Sequence, residues 1–383
     1  MTPGPARPWA LAAAAVLYAA LCLHFAYRDL SEPAHNWDML PYMAVVLHMD
    51  GLEPVAAHQR VYAEIARSPM RDMFTGQRDQ VAYRLAVARD PEALRQQLPF
   101  YQIKPLFNLS NYLLYRLRAD LLDCSLWTSI LFFLLAALVL FLWLARFLSP
   151  PWLLLCSSAA LYFTGLFALG GVSSPDTMAA ALLALGAFLW RRRGRDIYLL
   201  AGALLAQAAR PDYAIFGWGL VLGAAFWRRE AGRGRALAYL LASLSLYLAV
   251  DLHYGGYSWS MFFEHSFLSY HAYPARETAS VSLAAYLATM RDEWAGLFAG
   301  SRLLSLLLMQ VILYLPCRGG MGGERFRNVL WPVLCLDLAI ATHFLIHPAL
   351  LLRYFVGPYL LMLIWCLQAA PELLAPRPES GGA

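Results

Sequence analysis

The sequence predicts an all-α polytopic membrane protein, a single integral membrane domain (1–383) of about ten transmembrane helices with a large first extracytoplasmic loop carrying amphipathic surface helices. Three observations predict it. Of the 383 residues, 60% are hydrophobic and only 14% charged, and the mean hydropathy is +0.50; a soluble chain of this size needs far more polar surface. Apolar runs long enough to approach the width of a bilayer recur along the chain. Arginine is concentrated in alternate short connections between those runs.

The elements follow in order. Arg7 precedes roughly 20 apolar residues, too long for a signal-peptide core and without a small-residue cleavage site, so 8–27 is expected to be an uncleaved first span. Residues 28–124 form the first outer loop, where "HQRVYAEIARSPM" (58–70) and "QVAYRLAVARDPEALRQQL" (80–98) have the pattern of amphipathic helices lying along a membrane surface. Further spans are expected at 125–147, 152–170, 176–190, 197–210, 213–227 and 236–254. The fourth and fifth are short and suit tilted or broken helices, and "RRRGRD" between them argues for two passes. A second outer loop, 255–296, is dense in aromatics, as the headgroup belt favours. Spans at 297–316, 329–346 and 350–368 complete the count.

Arginine decides orientation. "RRRGR" (191–195), "RREAGRGR" (228–235) and "CRGGMGGERFR" (317–327) fall on one side with Arg7 and Arg146. The opposite short loops, "GGVSSPD" and "HPAL", carry none, and "ARPDY" carries one. The bias places both termini in the cytoplasm. The net charge of +5 says little about partners, no nucleic-acid partner is expected, and the six scattered cysteines show neither a disulfide framework nor metal spacing.

With this topology the conspicuous polar residues share the outer face. Asp38, in "HNWDMLPY", follows the first span, where Asp is also a good N-cap for a helix beginning "MLPYMAV". Lys104, the only lysine of the chain, sits in "FYQIKPLFN"; a cation there can meet a lipid phosphate or simply snorkel. Arg353, about one turn inside the last span, requires an acidic partner such as Asp176 or Asp212, or an anionic ligand, because an unpaired arginine there costs at least ~2.5 kcal/mol. Asp176 in "SSPDTM" reads first as a helix cap, and Arg210 with Asp212 in "ARPDY" as a structural ion pair. His265 and His271 are six apart, poor metal spacing on a helix, so interface anchoring is the first reading, with Glu264 and His265 as residues that shape a lipid or acceptor groove. Asp337 lies mid-span with His343 about two turns on, the pattern of a proton-linked site.

A carboxylate just past the first span followed by Tyr42 ("DMLPY"), an aromatic-basic-proline segment ("FYQIKPLF") and a late Arg353–Tyr354 on an outer helix end resemble the GT-C class of membrane glycosyltransferases, over roughly the whole chain and closest to the bacterial polyprenyl-phosphate-sugar-dependent branches. The resemblance implies an enzyme of the bacterial inner membrane, active on the periplasmic face. It would move a sugar from a polyprenyl-phosphate carrier to a hydroxyl of a glycan, lipid or protein acceptor. It implies Asp38 as general base, Lys104 and Arg353 on the lipid phosphate, and Trp37, Tyr42, Tyr101, Asp176, Arg210, Asp212, Glu264, His265 and Tyr354 around the substrates. Burial among aromatics is expected to raise the pKa of Asp38. The first loop lacks the paired acidic motif of the class, which argues against a bound divalent metal. Two other readings compete: a transporter or lipid flippase working through Asp337, and a non-catalytic subunit that keeps the fold.

Overall fold

Prolines and glycines punctuate an otherwise continuous helical pattern, and they decide where each helix starts and stops. The computed structural model describes residues 8–68, 71–74, 82–227, 232–298, 302–314, 323–349 and 351–374. Among these residues all extended regular elements are helices, with no strand. They are α1 (Pro8–Ser31), α2 (Met39–Met49), α3 (Pro54–Ile65), α4 (Arg71–Phe74), α5 (Ala82–Arg89), α6 (Pro91–Gln97), α7 (Pro99–Gln102) and α8 (Pro105–Arg116). Then follow α9 (Cys124–Leu144), α10 (Pro150–Thr164), α11 (Leu166–Gly170), α12 (Asp176–Arg193), α13 (Asp196–Ala209) and α14 (Tyr213–Trp227). The last six are α15 (Gly232–Tyr254), α16 (Trp259–Phe263), α17 (Leu283–Phe298), α18 (Arg302–Tyr314), α19 (Gly323–Ile346) and α20 (Leu352–Leu374).

Among the described residues four helices are long and apolar enough to cross a membrane: Pro8–Ser31, Cys124–Leu144, Arg233–Tyr254 and Leu352–Ala369. Other apolar helices are shorter, among them Asp196–Ala209, Tyr213–Ala225 and Arg302–Ile312. Outward-facing leucines such as Leu17, Leu248, Leu252 and Leu338 are exposed along the long helices, an exterior that fits a bilayer. The expected span 152–170 is two helices, α10 and α11, because Gly165 adopts the left-handed conformation (φ 69°) and ends the first of them. The expected span 297–316 is represented by the 13-residue α18. Residues 228–231 and 315–322, within two of the arginine-rich connections, lie outside the described residues, as does Arg7.

α12 is the axis of the bundle. It packs against α9, α13 and α20, and its face is built of small residues that let backbones approach. At the crossing with α13, a Cβ added to Gly186 would lie 2.7 Å from the Gly202 Cα. The two ends of α12 differ in charge: Asp176 starts it and Arg191, Arg192 and Arg193 end it, about 26 Å apart at 1.5 Å per residue.

Outside the bundle, α2, α3, α5 and α6 enclose a second small core of Met39, Leu40, Met43, Val46, Val61, Ile65, Phe74, Val87 and Leu94. This corrects the expectation of amphipathic helices lying on lipid, since their apolar faces turn toward one another instead. It also divides the 80–98 segment. Asp90 is extended, its carboxylate accepts from the Glu92 N–H at 2.9 Å, and Pro91 begins a new helix. The 255–296 segment docks on this unit: Gln97 donates to the carbonyls of His271 (2.9 Å) and Ala272 (3.1 Å), Tyr273 donates to Asp90 (2.7 Å), and Tyr257 donates to the Gln96 carbonyl (2.8 Å).

Gly186→Ala is expected to destabilise the fold by about 1–3 kcal/mol, the usual cost of overpacking. Gly296→Ala, with open space around its Cβ position, is expected to change stability little. Thermal unfolding of the two purified variants beside the wild type measures the difference.

Candidate functional site

One end of the bundle gathers seven polar side chains from six separate segments. The chain leaving α1 is pinned to the start of α12, with the Ala34 N–H donating to the Gly171 carbonyl (3.2 Å) and Asn36 donating to the Ser173 carbonyl (3.3 Å). This places Asp38 at the mouth of the bundle. Its backbone is already helical (φ −58°, ψ −24°) and its side chain makes no capping bond, so the N-cap reading of Asp38 is corrected. The carboxylate instead accepts from Tyr101 Oη at 3.1 Å and pairs with Arg353 Nη1 at 3.1 Å. Arg353, in the first turn of α20, also places Nε 3.7 Å from Asp176.

Asp176 is not a cap either. Pro175 occupies the cap position, and Asp176, fully buried, is paired with Arg210. Arg210 in turn donates from Nε to both oxygens of Asp212, at 2.8 and 3.0 Å, so the expected Arg210–Asp212 pair is present but belongs to a larger network. The Arg210 guanidinium lies 4.5 Å from the Tyr354 ring centroid. Lys104 sits at the α7–α8 joint before Pro105, donates to Tyr42 Oη at 2.9 Å and stands over the rings of Tyr101 (4.8 Å) and Tyr42 (5.2 Å).

The sequence pattern pairs His343 with Asp337 and gives it no place in this site. The structure separates those two. His343 Nε2 lies 3.2 Å from Asp212 Oδ2 and the ring stacks on Phe216, whereas Asp337 accepts from Gln310 at 3.3 Å. A histidine near the end of an apolar helix carries no mark of the loop it will meet, so spacing alone could not find this contact.

The base of the site is dry and its rim is open. The side chains of Arg210 and Asp176 are 6% and 0% exposed, those of Asp38 and Arg353 17% and 33%. Three carboxylates (Asp38, Asp176, Asp212) face three cations (Lys104, Arg210, Arg353). Burial alone would raise the pKa of Asp38, but Arg353 and Lys104 more than offset it, and the carboxyl sits below its ordinary value. This overturns the expected upward shift. Asp212 behaves likewise: burial opposes ionisation, Arg210 and His343 favour it, and the net shift is downward. Burial lowers Lys104 to about 7 against the attraction of Asp38. Among the described residues no carboxylate is within ion-pair distance of its ammonium.

The remaining expected residues line the flank. Trp37 packs on Tyr83 (5.2 Å) and Phe74 (6.2 Å). His265 stacks on Phe100 (4.8 Å) and accepts from the His271 N–H, and Glu264 is tied to His271 at 3.0 Å. Glu264 and His265 thus hold the second loop over the site and make no contact with its charges. No group of three His, Cys, Asp or Glu side chains among the described residues is arranged to hold a metal ion. No family model matches the chain, and neither a curated protein nor a solved structure matches it.

As the only lysine, Lys104 can be followed by amine labelling and peptide mass spectrometry. Half-maximal reactivity is expected near pH 7 rather than near the ~10.4 of an ordinary lysine. Arg210→Met would leave Asp176 buried beside a single, more distant arginine, and a loss of about 3–5 kcal/mol is expected in chemical unfolding.

Proposed function

We propose that the chain is a GT-C-type glycosyltransferase with ten membrane crossings, both termini in the cytoplasm of a bacterial cell and the site on the periplasmic side of the inner membrane. The observation that carries this reading is the meeting of Asp38, Lys104 and Arg353 in one partly open network. That network lies at the end of α12 opposite Arg191, Arg192 and Arg193, which is where positive-inside topology puts the outer face.

In the proposed reaction Asp38 takes the proton of an acceptor hydroxyl as its oxygen forms a bond to the anomeric carbon of the donor sugar. The bond from that carbon to the phosphate oxygen breaks, and its electron pair leaves on the polyprenyl phosphate. Arg353 and Lys104 meet the charge that develops there. The low pKa of Asp38 in the ligand-free protein fits this order of events. Arg353 is both the group that holds Asp38 ionised and the most exposed arginine of the network, so a phosphate that engages Arg353 weakens its hold on Asp38 and makes the carboxylate a stronger base.

A transporter remains the second reading because Asp337 lies within α19 with Gln310 as its hydrogen-bond partner. The two readings differ in which carboxylate matters. Asp38→Asn is expected to lower sugar transfer from a polyprenyl-phosphate donor in nanodiscs by ~10²-fold or more, with thermal unfolding confirming the folded state, while Asp337→Asn retains transfer. Equal transfer by wild type and Asp38→Asn removes the glycosyltransferase mechanism.

A further inference from the structure

Near Asp38, aromatic rings from both long loops join into one wall. Trp37 packs on Tyr83, Tyr83 stacks on Tyr270 (5.5 Å, 19° between planes) and meets His265 (5.9 Å), and His265 stacks on Phe100. Phe100 is the neighbour of Tyr101, whose hydroxyl holds Asp38. The wall therefore starts and ends next to the candidate base.

Two features of the wall look outward. Tyr270 is 66% exposed although it is stacked on one side, which leaves ring surface open. Trp37 Nε1 is a buried donor with no hydrogen-bond partner among the described residues, an unusual state for an indole N–H. The Arg84 guanidinium lies 5.2 Å from the Trp37 ring centroid. Flat apolar faces edged by N–H and phenol groups match one ligand chemistry well: a pyranose ring, whose C–H faces lie on aromatic rings while its hydroxyls take the polar edge. A lipid tail would leave the indole N–H unsatisfied, and a phosphate has Lys104 and Arg353, neither of them a member of the wall.

We propose that the acceptor is a neutral saccharide and that its ring docks on the wall formed by Trp37, Tyr83 and Tyr270. This inference rests on the glycosyl-transfer reading and adds the acceptor class to it. Under that reading the donor's phosphate has its cations at Lys104 and Arg353, and the rings begin at Trp37, the chain neighbour of the carboxylate that takes the acceptor's proton. The docking of the second loop on the first through Gln97, Tyr257 and Tyr273 makes the wall a composite of both loops, and its shape is set by their contact.

The test uses the full chain in nanodiscs free of glycoside detergent, probed by saturation-transfer NMR with maltotriose, mannotriose, cellotriose and chitotriose. At least one of the four is expected to bind wild type, and to bind Tyr270→Ala at least tenfold more weakly. Tyr270 is exposed enough that its removal leaves folding intact, which the thermal midpoint checks. If none of the four binds, or if Tyr270→Ala binds as wild type does, the saccharide site is overturned. Either result leaves glycosyl transfer itself to be judged by the separate loss of donor-dependent transfer in Asp38→Asn.

Discussion

The buried pairing of Asp176 with Arg210 is the constraint on which the rest of this structure depends. A fully buried carboxylate at the start of the central helix is tolerable only beside an opposite charge in good geometry. Arg210 supplies it from the α13–α14 joint, and its remaining donors then draw in Asp212. Asp212 in turn draws in His343 at the end of α19. Arg353 approaches the other side of Asp176 and reaches Asp38. One ion pair thereby ties one end each of α12, α13, α14, α19 and α20 to the segment that leaves α1.

The balance of charge in this network has a consequence for ligands. With three carboxylates facing three cations, an arriving anion finds no unopposed arginine and must compete with a carboxylate for one. Arg210 is locked in the dry base, whereas Arg353 is at the rim and can change partner. Lys104 is the one cation held by phenols and rings rather than by a carboxylate, and burial brings its proton into play near neutrality. An anion bound there would favour the protonated amine, so anion binding at this site and proton uptake belong together under the proposed reading.

The 255–296 segment docks on the helices of the 28–124 segment, and none of its described residues pairs with the charges of the network. Their contacts are made by side-chain amides and phenols on backbone carbonyls and Asp90, and by the stacking of His265 on Phe100. Such contacts hold the loops in register and leave the ionised groups beneath free to serve a ligand. The π-helical turn at Glu264–Leu268 sits where the second loop turns over the site, a kind of irregularity common beside functional sites.

What the sequence by itself determined is the helical class, the position of the long apolar helices and the separation of arginine from the aspartates along α12, because these follow from local composition and from the width of a bilayer. Proline and glycine also marked most helix ends, although the left-handed Gly165 and the Asp90–Pro91 break were read through as continuous helix. Only the tertiary structure decided the partners. Asp38 and Asp176 both have the residue type and the position of helix caps, and both turn away from their own helix, Asp38 to Arg353 and Asp176 to Arg210. His343 joins Asp212 rather than Asp337, and the pKa of Asp38 goes down rather than up. The reason is the same in each case: a local pattern tells which groups a helix end can satisfy by itself, while the choice between a backbone N–H and a distant arginine depends on which charges the folded bundle brings within 3 to 4 Å.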